Sequence, residues 1–245
     1  MHIVQEKTVR EIALESPSSI RVFERFGIDY CCGGNKSLVS ACAELQLSLE
    51  QVMEKLDEAG LEKHAEDPEK FQQLSLEKLI QHIVRVHHHY VRTEMPRLGI
   101  LAEKVAAKHG ETHPELKKIR TIFNQVCAEM TMHMMKEEEI LFPYIASLEQ
   151  SFTSHQAAPA SPFGTVAGPI QMMMREHESA GGAMAEISKL SAAYTPPTGA
   201  CPSYQGLFSG LKDFEQDLHR HVHLENNILF PRAQEMELQC QSKIA

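Results

Sequence analysis

An eleven-residue pattern occurs twice in this chain, as HMMKEEEILFP from His133 to Pro143 and as HVHLENNILFP from His221 to Pro231. Each copy carries a His, a Glu four residues later and then Ile-Leu-Phe-Pro, and the copies are 88 residues apart. Residues four apart lie one above the other on one face of a helix. His133 with Glu137, and His221 with Glu225, therefore each present a nitrogen and a carboxylate on the same side. The apolar residues that follow, Ile140-Leu141-Phe142 and Ile228-Leu229-Phe230, are expected to seal that side with apolar bulk, and Pro143 and Pro231 to end or bend the helices.

The surrounding sequence supplies the helices that such a pattern needs. Long helical periodicities run roughly over 76–108, 114–148, 169–193 and 204–237, separated by segments rich in Gly, Pro and Ser, with no strand pattern between them. Pro96 falls inside the first and is expected to kink or divide it. Before them the chain reads as three or four short helices. A capping box spans Thr8 to Glu11, a second helix opens at Ser16-Pro17 and closes at Gly27, and a further box joins Ser48 to Gln51 ahead of a stop at Gly60. The polar stretch from Glu62 to Gln73 separates the two parts. The expected architecture is all-α: a small helical domain over 1–61, a linker over 62–73 and an antiparallel four-helix bundle over 74–245.

Histidine usage points to the chemistry. There are 14 His, clustered at 82–89, 133, 177 and 219–223. Stepping back 46 residues from His133 reaches His87, and stepping back 44 from His221 reaches His177, each on the preceding helical pattern. Two antiparallel helix pairs would then gather His87, His133, His177, His221, Glu137 and Glu225 inside the bundle. Any one of these would more often be a hydrogen-bonded core or surface residue. Six in matched positions form the donor set of a two-metal site, in which carboxylates can bridge two ions, and the nitrogen-rich remainder favours iron, with manganese and zinc as alternatives. His88 and His89 fan around the helix and are expected to face elsewhere. Glu129 and Asp217, one turn before His133 and His221, and Glu176 beside His177 are candidates to hydrogen-bond ligand histidines or to line a polar path for iron and protons, or else to lie in an exposed stripe. The Met-rich runs around His133 and His177 read as flexible core filler.

Cys31 and Cys32, in DYCCGG, form a separate feature. Adjacent side chains diverge in an extended backbone, so they make a poor chelate and a strained disulfide, while Gly33-Gly34 permits a turn that would set the thiols at a tip. Redox sensing, a transient contact with iron or nitric oxide, docking to the bundle and plain packing at the turn all remain open for them. Cys42, Cys127, Cys201 and Cys240 lack a partner pattern and default to structure. Six cysteines in 245 residues are too sparse for a disulfide framework and suit a reducing compartment. A net charge of -9 argues against nucleic acid as a partner, and no apolar run approaches a bilayer's thickness. With no apolar signal core in MHIVQEKTVREI, the cytoplasm is the expected location.

The doubled H-x3-E-x2-ILFP pattern resembles the hemerythrin-like di-iron domain, and FERFGIDYCCGG ahead of it resembles the N-terminal domain of the Repair of Iron Centres (RIC, ScdA-type) proteins. The combination spans nearly the whole chain. The resemblance implies two non-haem irons on the six residues named, with Glu137 and Glu225 as bridges. It further implies repair of iron-sulfur clusters damaged by nitrosative or oxidative stress, through iron donation, through binding or reduction of nitric oxide, or both. Damaged iron-sulfur proteins would be the partners, and nitric oxide or oxygen the small ligands. Cys31 and Cys32 would be the residues of possible redox or iron contact. Two other classes fit the residues: a sensor or store of oxygen, nitric oxide or iron without repair activity, and a metal-free bundle serving protein contacts. An exposed thiol tip or bundle face could support a homodimer, although no symmetric interface pattern stands out.

Overall fold

The computed structural model describes residues 6–16, 18–61 and 69–242. Pro17, in the expected opening of the second helix, and most of the expected linker, 62–68, lie outside the described residues. Among the described residues every regular element is a helix, apart from one isolated antiparallel bridge between Thr8 and Ser37.

Among the described residues four helices are delimited in the N-terminal part: α1 (Val9–Glu15), α2 (Ser19–Phe26), α3 (Leu38–Glu44) and α4 (Leu49–Leu61). The Thr8 hydroxyl accepts from the Glu11 amide while the Glu11 carboxylate accepts from the Thr8 amide, the reciprocal box expected there. Gly27 ends α2 in the left-handed region, at φ 68°, where a side chain would be strained. Helix α4 runs one residue past Gly60, so that glycine does not stop it. Val9, Ile12, Phe23, Ile28, Tyr30, Leu38 and Val52 make a separate small core. A unit of this size is marginal alone, and it is docked. Arg220 donates through Nε and Nη2 to the two oxygens of Glu24, both at 2.6 Å, and Tyr30 Oη donates to Glu24 Oε1 at 3.1 Å. Arg220→Ala would leave the Glu24 carboxylate, 6% exposed, facing only Tyr30. The expected cost is about 2 kcal/mol, or roughly 4–8 °C in the unfolding midpoint. Calorimetry checks this, and Arg220→Lys should recover only part because an ammonium cannot form the two-pronged pair.

After α5 (Glu69–Gln73), a helical turn within the expected linker, four rods build the bundle. Rod A is α6 (Leu76–Ile83), a π-helical segment π1 (Val84–His88) and α7 (His89–His109). Rod B is α8 (Glu115–Lys136), π2 (Glu137–Leu141) and α9 (Phe142–Thr153). Rod C is α10 (Ala167–Leu190). Rod D is α11 (Pro202–Leu224), π3 (Glu225–Leu229) and α12 (Phe230–Ser242). They pack in a ring, A on B, B on C, C on D and D on A. Helix α7 continues through Pro96, so the first pattern is neither divided nor stopped there. Pro143 and Pro231 likewise do not end their rods. Each follows a π-helical segment, whose wider turn relieves the clash of the ring with the preceding turn's carbonyl.

The bundle's interior is two apolar clusters with a polar layer between them. One holds Val91, Leu98, Phe123, Met130, Phe214 and Leu218; the other holds Leu76, Ile83, Leu141, Phe142, Ile145, Leu229 and Phe230. All three π-helical segments fall at the layer between these clusters. Ile140, expected to help seal that layer, is 50% exposed, whereas Leu141 and Phe142 are buried.

Candidate metal centre

Six side chains from all four rods meet in the polar layer: His88 from rod A, His133 and Glu137 from rod B, His177 from rod C, and His221 and Glu225 from rod D. Two sets of four donors result. His88, Glu137, His221 and Glu225 offer atoms within 4.8 Å of one another, and so do His133, Glu137, His177 and Glu225. Both carboxylates belong to both sets, and both are fully buried.

Five of the six residues picked from spacing are brought together. His87 is not among them, and His88 stands where it was expected. The reason is local. Leu76, Leu79 and Ile83 point inward in α register, and a straight helix would carry that face on to residue 87. The extra residue per turn in π1 moves the inward position to 88, from which Val91, Met95, Leu98, Ala102 and Val105 continue the buried stripe. A trace of this slip is visible in the sequence. Ile83 and Val91 are eight residues apart, which on a straight helix leaves them about 80° out of phase. His87 turns instead to Asp217, with Nδ1 2.9 Å from Oδ1.

The outward nitrogens show how the imidazoles are oriented. His88 Nδ1 lies 2.5 Å from Glu138 Oε1, His133 Nδ1 2.9 Å from Glu176 Oε2 and His177 Nδ1 2.9 Å from Asn226 Oδ1. These oxygens accept, so each Nδ1 carries the hydrogen and each Nε2 turns a lone pair inward. Glu138 and Asn226 occupy the same place in the two copies of the repeated pattern. Phe142 and Phe230 also correspond, stacking on His88 at 5.8 Å and on His177 at 6.2 Å. The copies differ as EEE against ENN for a reason of burial. Glu138 is partly exposed beside Arg92 and Glu139 is exposed, whereas Asn226 and Asn227 lie beneath the N-terminal helices, where Arg10 reaches the Asn226 carbonyl and Asn227 the Tyr30 carbonyl. A carboxylate there would have to be buried, at a desolvation cost that the neutral amides avoid.

Such an arrangement calls for positive charge at its centre. Nε2 of His88 faces Nε2 of His221 at 3.0 Å, and Nε2 of His133 faces that of His177 at 3.0 Å. Two lone pairs at that separation repel, so a proton or a metal ion must lie between each pair of nitrogens. Both Glu137 oxygens and Glu225 Oε2 make no hydrogen bond of good geometry to a described residue. The titration behaviour has the same origin. Burial pulls the His88 and His133 imidazoles down, but Glu137 and Glu225 overcome it and push them up to about 10 and about 9. Burial likewise opposes ionisation of Glu225, and the surrounding imidazoles hold it well below the usual carboxylate range all the same. The buried nitrogen and oxygen donors, shared carboxylates and oriented Nδ1 groups fit a pair of divalent transition-metal ions.

The remaining candidates fall into three positions. Glu176 bridges His133 Nδ1 and the Lys136 ammonium. Glu129 is exposed, accepts from Gln125, and lines with Lys136 and Glu176 a surface cavity of ≈ 610 Å³. Asp217 holds His87 rather than His221. Spacing missed Glu138 and Asn226 because their partners sit on other rods. Cys31 and Cys32 are not at an exposed tip: Cys31 is 6% exposed, its Sγ 3.2 Å from Asp29 Oδ1, and a Cβ on Gly181 would stand 3.7 Å from Cys32 Sγ. The glycines after them serve close approach rather than positive φ, since a Cβ on Gly34 would lie 2.6 Å from the Tyr30 carbonyl oxygen.

Residues 79–233 match the hemerythrin HHE cation binding domain, and residues 5–60 match ScdA_N, described as a domain of unknown function. Two proteins named iron-sulfur cluster repair protein YtfE, from Yersinia pseudotuberculosis serotype IB (strain PB1/+) and Yersinia pestis (strain Pestoides F), are each 34% identical over 229 residues. The alignments cover 94% of this chain and 97% of each relative.

Proposed function

This chain belongs to the hemerythrin HHE cation-binding family, and from that premise we propose that it repairs iron-sulfur clusters damaged by nitrosative or oxidative stress, using two irons held in the bundle. The function accords with the name of relatives that align over 94% of the chain. The observation that carries the site is the pair of donor sets sharing Glu137 and Glu225, with opposed Nε2 atoms on either side. His88 and His221 would hold one ion, His133 and His177 the other, and the two carboxylates would belong to both. Bound there, iron supplies redox chemistry and open positions for a small ligand such as nitric oxide or oxygen.

The protein's own groups do the rest. Glu138, Glu176 and Asn226 fix the imidazole tautomers, and the two apolar clusters keep bulk water from the layer. Glu176 touches His133 and also lines the ≈ 610 Å³ cavity, so this is the side on which iron would leave as cargo for a damaged cluster. Damaged iron-sulfur proteins are then the partners. Two parts, 1–61 and 74–245, would divide the labour, with Cys31 and Cys32 docked against rod C rather than free to exchange. Among the described residues no helix is long and apolar enough to cross a membrane, and work on iron-sulfur proteins in a reducing compartment fits a cytoplasmic site.

The test is metal content after anaerobic purification from iron-supplied cells, joined to reactivation of an iron-sulfur enzyme inactivated by nitric oxide. About two irons per chain are expected, with His133→Ala and His221→Ala each reducing iron and reactivation together. Unchanged iron in both variants would overturn the site, and a parent with two irons that restores no enzyme would overturn the repair role.

A further inference from the structure

At the end of the bundle remote from the polar layer, a thiol and an imidazole face each other. Cys201 precedes the first residue of α11, and His109 closes α7. His109 Nε2 lies 3.3 Å from Cys201 Sγ. The contact is held in place by packing. His109 stacks on the Tyr204 ring at 5.6 Å with 22° between planes, Tyr204 is 2% exposed, and His113 packs edge-on to its ring at 5.7 Å while its own Nδ1 lies 3.1 Å from Glu115 Oε1. Cys201 and His109 are both half-buried, so a small reagent can approach them.

The sulfur packs at the margin of the apolar cluster but caps nothing. It occupies the N-cap position of a 23-residue helix yet makes no capping hydrogen bond, and Pro202 behind it has no amide hydrogen to offer. Charge developing on Sγ would meet the positive end of α11, while a proton received by His109 would rest at the negative end of α7. Among the described hydrogen bonds no other cysteine meets an imidazole. Cys31, Cys42 and Cys240 are buried, and burial pushes the Cys127 thiol up to about 11.

We propose that Cys201 is a reactive thiol, with His109 as its general base, that forms mixed disulfides with small disulfides of the glutathione type. In the step, the Cys201 proton passes to His109 Nε2 as Sγ attacks one sulfur of the disulfide. A new S–S bond forms, the old one breaks, and the departing thiolate takes the proton back from the imidazolium. Cys201 is oxidised and one half of the disulfide is reduced, so no further reagent is needed. Cys201 lies about 30 Å along α11 from His221, so the reaction is independent of the metal site.

The reduced full-length protein is treated with oxidised glutathione at pH 7, and adducts at each cysteine are timed by peptide mass spectrometry. Cys201 should acquire glutathione about ten times faster than Cys127, and His109→Gln should remove most of that advantage while leaving Cys127 unchanged. A second comparison needs no variant. In urea the thiol becomes more accessible but loses His109, so the folded protein should react faster at Cys201 than the unfolded chain. Equal rates at Cys201 with and without His109, or a folded rate below the unfolded one, would overturn the proposal.

Discussion

In a His88→Ala variant, iron is expected to fall from about two per chain to one or fewer, whereas His87→Ala should keep about two. The two residues are adjacent and both buried, so loss of burial alone does not separate them. What separates them is direction. His88 Nε2 faces His221 Nε2 and stands 3.4 Å from Glu137 Oε2 and 3.8 Å from Glu225 Oε1, while His87 is engaged with Asp217 outside both donor sets. Removing His88 leaves one ion with three protein donors and strands Glu138 without its imidazole. Loss even of a residue that only orients a ligand weakens metal binding about 10–100-fold, so loss of the donor itself should exceed that. Anaerobic iron titration of both variants reads the difference. The reverse result, with His87→Ala losing iron and His88→Ala retaining it, would mean that rod A enters the site in unbroken α register.

Removing the metal should destabilise the whole protein. Six ionisable side chains share one dry layer, and in the absence of a cation the balance rests on protons held by His88 and His133 against Glu137 and Glu225. A ligand that binds only the folded state at a thousand times its dissociation constant stabilises by about 4 kcal/mol. For a chain of this size that is a fall of roughly 8–16 °C in the unfolding midpoint on chelation. Calorimetry of loaded and chelated protein gives the shift. Glu225→Ala, which takes a donor from both sets, should show little dependence on chelator. An unchanged midpoint for the chelated parent would mean that the layer is satisfied without a bound ion.

Much of this arrangement was legible in the sequence for a definite reason. Helix periodicity, capping residues and the doubled His/Glu spacing are local, and each acts over a few residues whatever surrounds it. The Thr8–Glu11 box, the Gly27 stop, the four rods and the inward placement of His133, Glu137, His221 and Glu225 all follow from such short-range geometry. His177 was reached only by analogy between the halves, and the same analogy led to His87.

Wherever the outcome depended on which surface covers a residue, the tertiary structure decided it. The π turn in rod A moves the metal-facing position by one residue, a shift that matters only because three other rods converge on that layer. Glu138 and Asn226 are local neighbours of Glu137 and Glu225 but serve histidines on different rods. The N-terminal helices bury Asn226 and Asn227 and leave Glu139 in water, which explains why two otherwise matching patterns diverge at those positions. The cysteine pair reads as a tip in the chain and is covered in the fold. The sequence by itself determined the helices, the repeat and the kinds of donor atom, because these depend on spacing along one chain. Only the packed rods decided which histidine points inward, which oxygens orient it and which thiol meets an imidazole, because those depend on distances between segments far apart in the chain.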